Sequence, residues 1–74
     1  MKKRIFELWL GENYLTGLCM EVNSTIAEIK QHALEVSECI DREIIPYIKS
    51  ARVMIRTTQG NKIEYKPEVT FGNS

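Results

Sequence analysis

Apolar and polar residues alternate along RIFELWL, with Phe6, Leu8 and Leu10 on one side and Ile5, Glu7 and Trp9 on the other. A period of two sends successive side chains to opposite faces of a sheet, so this stretch predicts a first strand. The segment GENYLTG is bracketed by Gly11 and Gly17, a residue type that tolerates the positive dihedrals of tight reversals. It leads into LCMEV, where Leu18, Met20 and Val22 alternate with Cys19 and Glu21. The two alternations predict an N-terminal hairpin with Tyr14 and Leu15 at its tip.

The period then changes. Ile26, Ile29, Ala33, Val36, Ile40, Ile44 and Tyr47 recur at spacings of three and four, which draws one apolar stripe along a helix. Thr25 and Glu28 mark its start as a capping box, in which hydroxyl and carboxylate each satisfy a backbone donor at the helix end. Pro46 disfavours helical geometry at Ile45, which predicts a helix end near Ile44 and leaves PYIKS as a connector or one more turn.

Two further alternations follow. ARVMIRTT puts Val53 and Ile55 on one face with Arg52, Met54 and Arg56 on the other, and after a QGN turn, Ile63 and Tyr65 alternate with Lys62, Glu64 and Lys66. Pro67 then breaks any inner-strand ladder. The order is strand, strand, helix, strand, strand. Each element has one apolar face to bury, so the prediction is a single α+β domain over residues 1–74, with one helix packed across one face of a mixed four-stranded sheet.

Composition adds limits. At 74 residues, with 43% hydrophobic and 27% charged residues, the chain is an ordinary small globule, and no apolar run approaches bilayer length. MKKRIFELWLG opens like a secretory leader, but Glu7 interrupts its apolar stretch and no small-residue cleavage site follows, so a cytoplasmic location is expected. Cys19 and Cys39 lack redox or zinc spacing and are expected as free thiols. The net charge is zero but unevenly spread: residues 12–45 are rich in Glu and Asp, and residues 46–74 in Lys and Arg. That dipole suits steering towards a charged partner surface.

Candidate chemistry is sparse. Glu28, His32, Glu35 and Cys39 share one helix stripe, but a straight helix seldom brings more than two side chains to one ion, and a solvated face is the favoured explanation of the spacing. A Ser-His-Asp or Cys-His site would rest on His32 alone, and there is no phosphate loop or paired-carboxylate motif. No enzyme, cofactor or metal is expected. Trp9, Arg52, Met54, Arg56 and Lys66 are expected on the sheet face opposite the helix, together with Glu7, Glu64 and Glu68. Trp, Met and Arg are enriched at protein interfaces. Basic and aromatic side chains on an open sheet also serve single-stranded nucleic-acid modules, and an ordinary solvated face is the third reading. Tyr14 and Leu15, at the expected hairpin tip, join this candidate partner-binding set.

The element order and the run MEVNSTIAEIK resemble ubiquitin-like β-grasp proteins. Val22, Thr25, Ile26, Ile29 and Lys30 occupy the places of the valine that ends the hairpin, the capping threonine and the T-I-x-x-(V/I)-K helix entry. IIP before ARVMI is similar to the Ile-Pro segment that precedes ubiquitin's third strand. Among small bacterial relatives the chain is most similar to the YukD/EsaB-type ubiquitin-like accessory proteins of type VII secretion, and the small β-grasp subunits of toluene-type monooxygenases look similar over the same span.

The resemblance implies a β-grasp fold and a non-catalytic adaptor that docks on other proteins. It places the outward apolar contact of the third strand on Met54, flanked by Arg52 and Arg56. The ending FGNS is not a diglycine tail, so conjugation to lysines is not expected. Ubiquitin-like proteins also need a fifth strand beside strand one. The last segment therefore offers two architectures: either NKIEYKPEVTF pairs in parallel with strand one, giving the order 2-1-4-3, or strand one keeps an open edge for a partner strand. The first is favoured, because an open central edge is costly. The preferred reading is a non-catalytic protein-interaction module; a small nucleic-acid-binding module on the same face and a phage or mobile-element inhibitor of a host machine are the alternatives, with a homodimer open under any of them.

Overall fold

In the computed structural model, which describes residues 2–65, the first two alternations form an antiparallel hairpin of β1 (Lys3–Leu10) and β2 (Asn13–Glu21). The register runs from Lys3 opposite Glu21 to Leu10 opposite Asn13, with a bulge that leaves Leu15 unopposed between the Leu8–Thr16 and Trp9–Tyr14 pairs. The turn is short because Gly11 takes a φ of +64°. Tyr14 and Leu15 therefore lie within β2 and not at the tip that the glycine spacing suggests. Gly17 has no positive φ and sits mid-strand, for a packing reason given below.

Helix α1 (Ile26–Ile40) starts at the predicted capping box. Thr25 N–H donates to Glu28 Oε1 at 2.9 Å, and Glu28 N–H donates to Thr25 Oγ1 at 3.1 Å. Thr25→Ala should cost about 0.5–2 kcal/mol, read as a lower urea midpoint with an unchanged slope.

The helix stops at Ile40, earlier than expected. Asp41 leaves helical geometry at φ −158° and ψ 83°, and its Oδ1 accepts the Glu43 N–H. A 3₁₀ turn (Arg42–Ile44) and a short helix α2 (Ile45–Ile48) follow, with Pro46 in the first turn of α2, where its missing donor does no harm. Ile45 is accordingly helical, contrary to the proline-based expectation. The apolar stripe is not covered to its end. Ile29, Ala33 and Ser37 are buried, whereas Ile40 and Tyr47 are exposed, and Ile48 enters the core in their place. Lys30 Nζ ties the two helices by donating to Lys49 O at 2.8 Å.

β3 (Arg52–Arg56) and β4 (Lys62–Glu64) complete a sheet in the order β2-β1-β3-β4. Among the described residues the expected parallel pairing of strand one with the last strand is not formed. β1 pairs antiparallel with β3, Phe6 opposite Ile55 and Leu8 opposite Val53, so every pairing among the described residues is antiparallel. Composition explains the exchange. β3 brings Val53 and Ile55 to the helix side, while β4 has three exposed residues, two of them charged, so the more apolar strand takes the covered central place. β1 is flanked on both sides, and the alternative of a central strand left open is set aside as well. Residues 66–74, with the expected roles of Lys66, Pro67, Glu68 and the tail, lie outside the described residues.

Phe6, Leu8, Leu18, Ile29, Ala33, Ile48, Ala51, Val53 and Tyr65 form the core between sheet and helix. Tyr65 fastens the end of β4 to it. Its N–H donates to Val53 O at 2.7 Å, its ring packs 4.9 Å from that of Phe6, and its hydroxyl donates towards Val22 O and Ser24 O at 3.1 and 2.8 Å. No helix among the described residues is long and apolar enough to cross a membrane.

Candidate functional site

With Phe6, Leu8, Val53 and Ile55 turned to the helix, strand parity sends Ile5, Glu7, Trp9, Arg52, Met54 and Arg56 to the other face. The register sets Trp9 between Tyr14 and Arg52, and Glu7 between Gly17 and Met54. Five of the six candidate partner-binding residues, Trp9, Tyr14, Arg52, Met54 and Arg56, thus share one face. The sixth does not: Leu15, at the bulge, packs against the core.

The face is organised around Trp9. The Tyr14 ring meets it edge-on, with centroids 5.5 Å apart at 70°. Lys62 Nζ lies 3.9 Å from its ring centroid, a cation–π contact. Its Nε1–H donates to Glu7 Oε1 at 2.9 Å, and Glu7 Oε2 lies 3.6 Å from Arg56 Nη2. Glu7 is 9% exposed. A carboxylate so covered needs partners, and the indole N–H and guanidinium supply them. Arg56 is therefore a partner of Glu7 as much as a surface group.

Gly17 explains how Tyr14 lies down. A Cβ at Gly17 would come 2.7 Å from the Tyr14 hydroxyl oxygen. Gly17→Ala should leave the fold standing, since the obstructing atom is the far end of a side chain, but should lift the Tyr14 ring from Trp9. A shifted Trp9 fluorescence maximum at nearly constant melting temperature checks this.

At one margin, Arg4, Ile5, Glu7, Arg56, Thr57 and Thr58 line an open recess of about 320 Å³. It lies where the pairing of β1 with β3 stops, at Phe6 on β1 and Ile55 on β3, one residue before β3 ends. Ile5, 61% exposed, and Lys62 are members of this face that the residue types alone did not single out. Strand period placed Ile5 there, but nothing local announced the reach of Lys62 to Trp9.

The helix stripe of Glu28, His32, Glu35 and Cys39 is not a joint site. Glu28 is held in the capping box, His32 Nδ1 lies 4.0 Å from Glu35 Oε1, and no cluster of three or more potential metal ligands occurs among the described residues. Cys19 and Cys39 are free and exposed. Comparison with protein-family models, with curated proteins and with solved structures gives no match.

Proposed function

We propose that the chain is a non-catalytic protein-docking module of the ubiquitin-like accessory kind, which binds a protein partner through the sheet face that bears Trp9. The observation that carries this reading is the gathering of Trp9, Tyr14, Met54, Arg52 and Lys62 on the side of the sheet away from α1. Large rigid aromatics beside a methionine and an arginine are the composition of interface centres, where few residues supply most of the binding energy. Ile5 and the recess beside it offer a seat for one apolar partner side chain. The likeness to ubiquitin-like proteins rests on the hairpin, the capped helix entry and the Ile-Pro segment. The neighbours of β1 differ from those of a β-grasp sheet.

Nucleic-acid binding through the same face is the second reading, and Trp9 weighs against it. Its ring already carries Lys62 and abuts Tyr14, so a base would have to displace one of them to stack. The two readings part on salt, because binding to phosphates weakens steeply as counterions compete.

Affinity capture from the native host, followed by mass spectrometry, tests the proposal when wild type is compared with the Arg52→Glu, Met54→Glu double variant. Arg52 is the better charge to reverse, since reversing Arg56 would set two carboxylates side by side at Glu7. The variant should lose the partner by roughly thirty-fold or more, the size of one interface hot spot. Undiminished capture would remove this face as the docking surface.

A further inference from the structure

The two edges of the sheet are built differently. β4 is three residues long, whereas β2, the opposite edge, has nine residues and one charged side chain, Glu21. Edge strands are ordinarily kept from pairing with other chains by shortness, charge, proline or a bulge. β2 has a bulge at Leu15, but over residues 16–20 it has none of these.

One bond fixes which backbone groups β2 presents. Val22 N–H donates to Lys2 O at 3.1 Å, one step beyond the Lys3–Glu21 pair. Bonded and non-bonded pairs alternate along an antiparallel ladder, so Met20, Leu18 and Thr16 direct their N–H and C=O groups to β1, while Glu21, Cys19 and Gly17 direct theirs outward. Glu21 O already accepts from Ser24 N–H at 3.1 Å, and the bulge at Leu15 ends the regular stretch. Gly17 and Cys19 are left in the middle of the edge with both backbone groups facing outward.

We propose that this edge is a self-association site, on which β2 of a second copy adds antiparallel about a two-fold axis at Leu18. The free groups select that register. Gly17 bonds with Cys19 of the second copy, and the same pair recurs across the axis. An axis at Cys19 would call on the occupied Glu21 carbonyl, and one at Gly17 would call on Leu15 in the bulge.

The side chains fit a second copy. On the outer face Gly17 lies opposite a cysteine, and on the core side Leu18 meets its own equivalent and Thr16 meets Met20. Glu21 falls opposite Leu15, so no like charges oppose each other. The chain has no net charge, so two copies do not repel at a distance. The result is one continuous sheet, with the Trp9 faces of both copies on the same side.

Sedimentation velocity under reducing conditions, with concentration raised into the millimolar range, tests this. Cys19→Pro removes an outward N–H and fixes the local φ but breaks no bond to β1, because those belong to its neighbours, and Cys19→Lys sets charges near the axis without touching the backbone. Wild type should shift towards the dimer with concentration while its Gly17 and Cys19 amides gain exchange protection, and the variants should stay monomeric. Cys19→Lys, its fold checked by circular dichroism, carries the test if the proline variant unfolds. A wild type that remains monomeric throughout, or a dimer that survives in the folded variants, would overturn the proposal.

Discussion

Ile29→Ala is expected to destabilise the protein by about 2–5 kcal/mol, while Ile40→Ala changes stability by less than about 0.5 kcal/mol. The two isoleucines belong to one stripe of α1, so the contrast tests where the core's cover of that stripe ends and not hydrophobicity as such. Ile29 has no exposure and sits among the core side chains, so truncation removes buried methyl groups and leaves a void that rigid neighbours fill only in part. Ile40 is 74% exposed and loses little. A domain of 74 residues has roughly 4–11 kcal/mol of stability in all, so Ile29→Ala should bring it close to unfolding at room temperature. Urea melts of both variants are the check. Equal losses would mean that the core covers α1 to its last turn and buries both positions.

Phe6→Ala should cost about 3–5 kcal/mol, at or above the loss at Ile29. Phe6 is fully buried in the central strand, pairs with Leu18 on one side and Ile55 on the other, and packs against Tyr65. Its removal strips area from both strand interfaces and takes away the ring against which Tyr65 lies. Tyr65→Phe offers a gentler probe of the same anchor. It keeps the ring contact and removes the hydroxyl that bonds Val22 O and Ser24 O, for about 1–3 kcal/mol. Thermal melts rank the three proteins. If Tyr65→Phe matched wild type while Phe6→Ala was crippled, the hydroxyl bonds would be dispensable and packing alone would hold β4 in place.

What could be read in the chain follows the range of the forces involved. Alternation in RIFELWL and the Thr25–Glu28 box are local, and both appear in the fold as expected. The choice of β3 over β4 as the neighbour of β1 is a competition between distant segments, and strand order cannot be read from period alone. Asp41 misled because the helical spacing continues through it to Ile44, although the carboxylate caps a new turn. Gly17 looked like a turn residue and is instead the gap into which Tyr14 lies. On the candidate face, strand parity grouped Trp9, Arg52, Met54 and Arg56 from sequence, whereas the bulge that turns Leu15 inward and brings Tyr14 opposite Trp9 left no mark in the residue types.

The proposed docking face rests on side chains that already hold one another. Glu7 fixes the indole of Trp9 and engages Arg56, while Tyr14 and Lys62 close on the same ring, so the face would meet a partner with part of its ordering cost already met. That preorganisation gives the claim a residue-level signature. The most direct measurement is a titration of the isotope-labelled protein with its captured partner, followed by amide and indole N–H chemical shifts. The account predicts that the largest changes fall on the Trp9 indole and the amides of Ile5, Tyr14, Arg52 and Met54, with α1 nearly silent. Changes concentrated on the exposed side of α1, with the Trp9 indole unmoved, would contradict it.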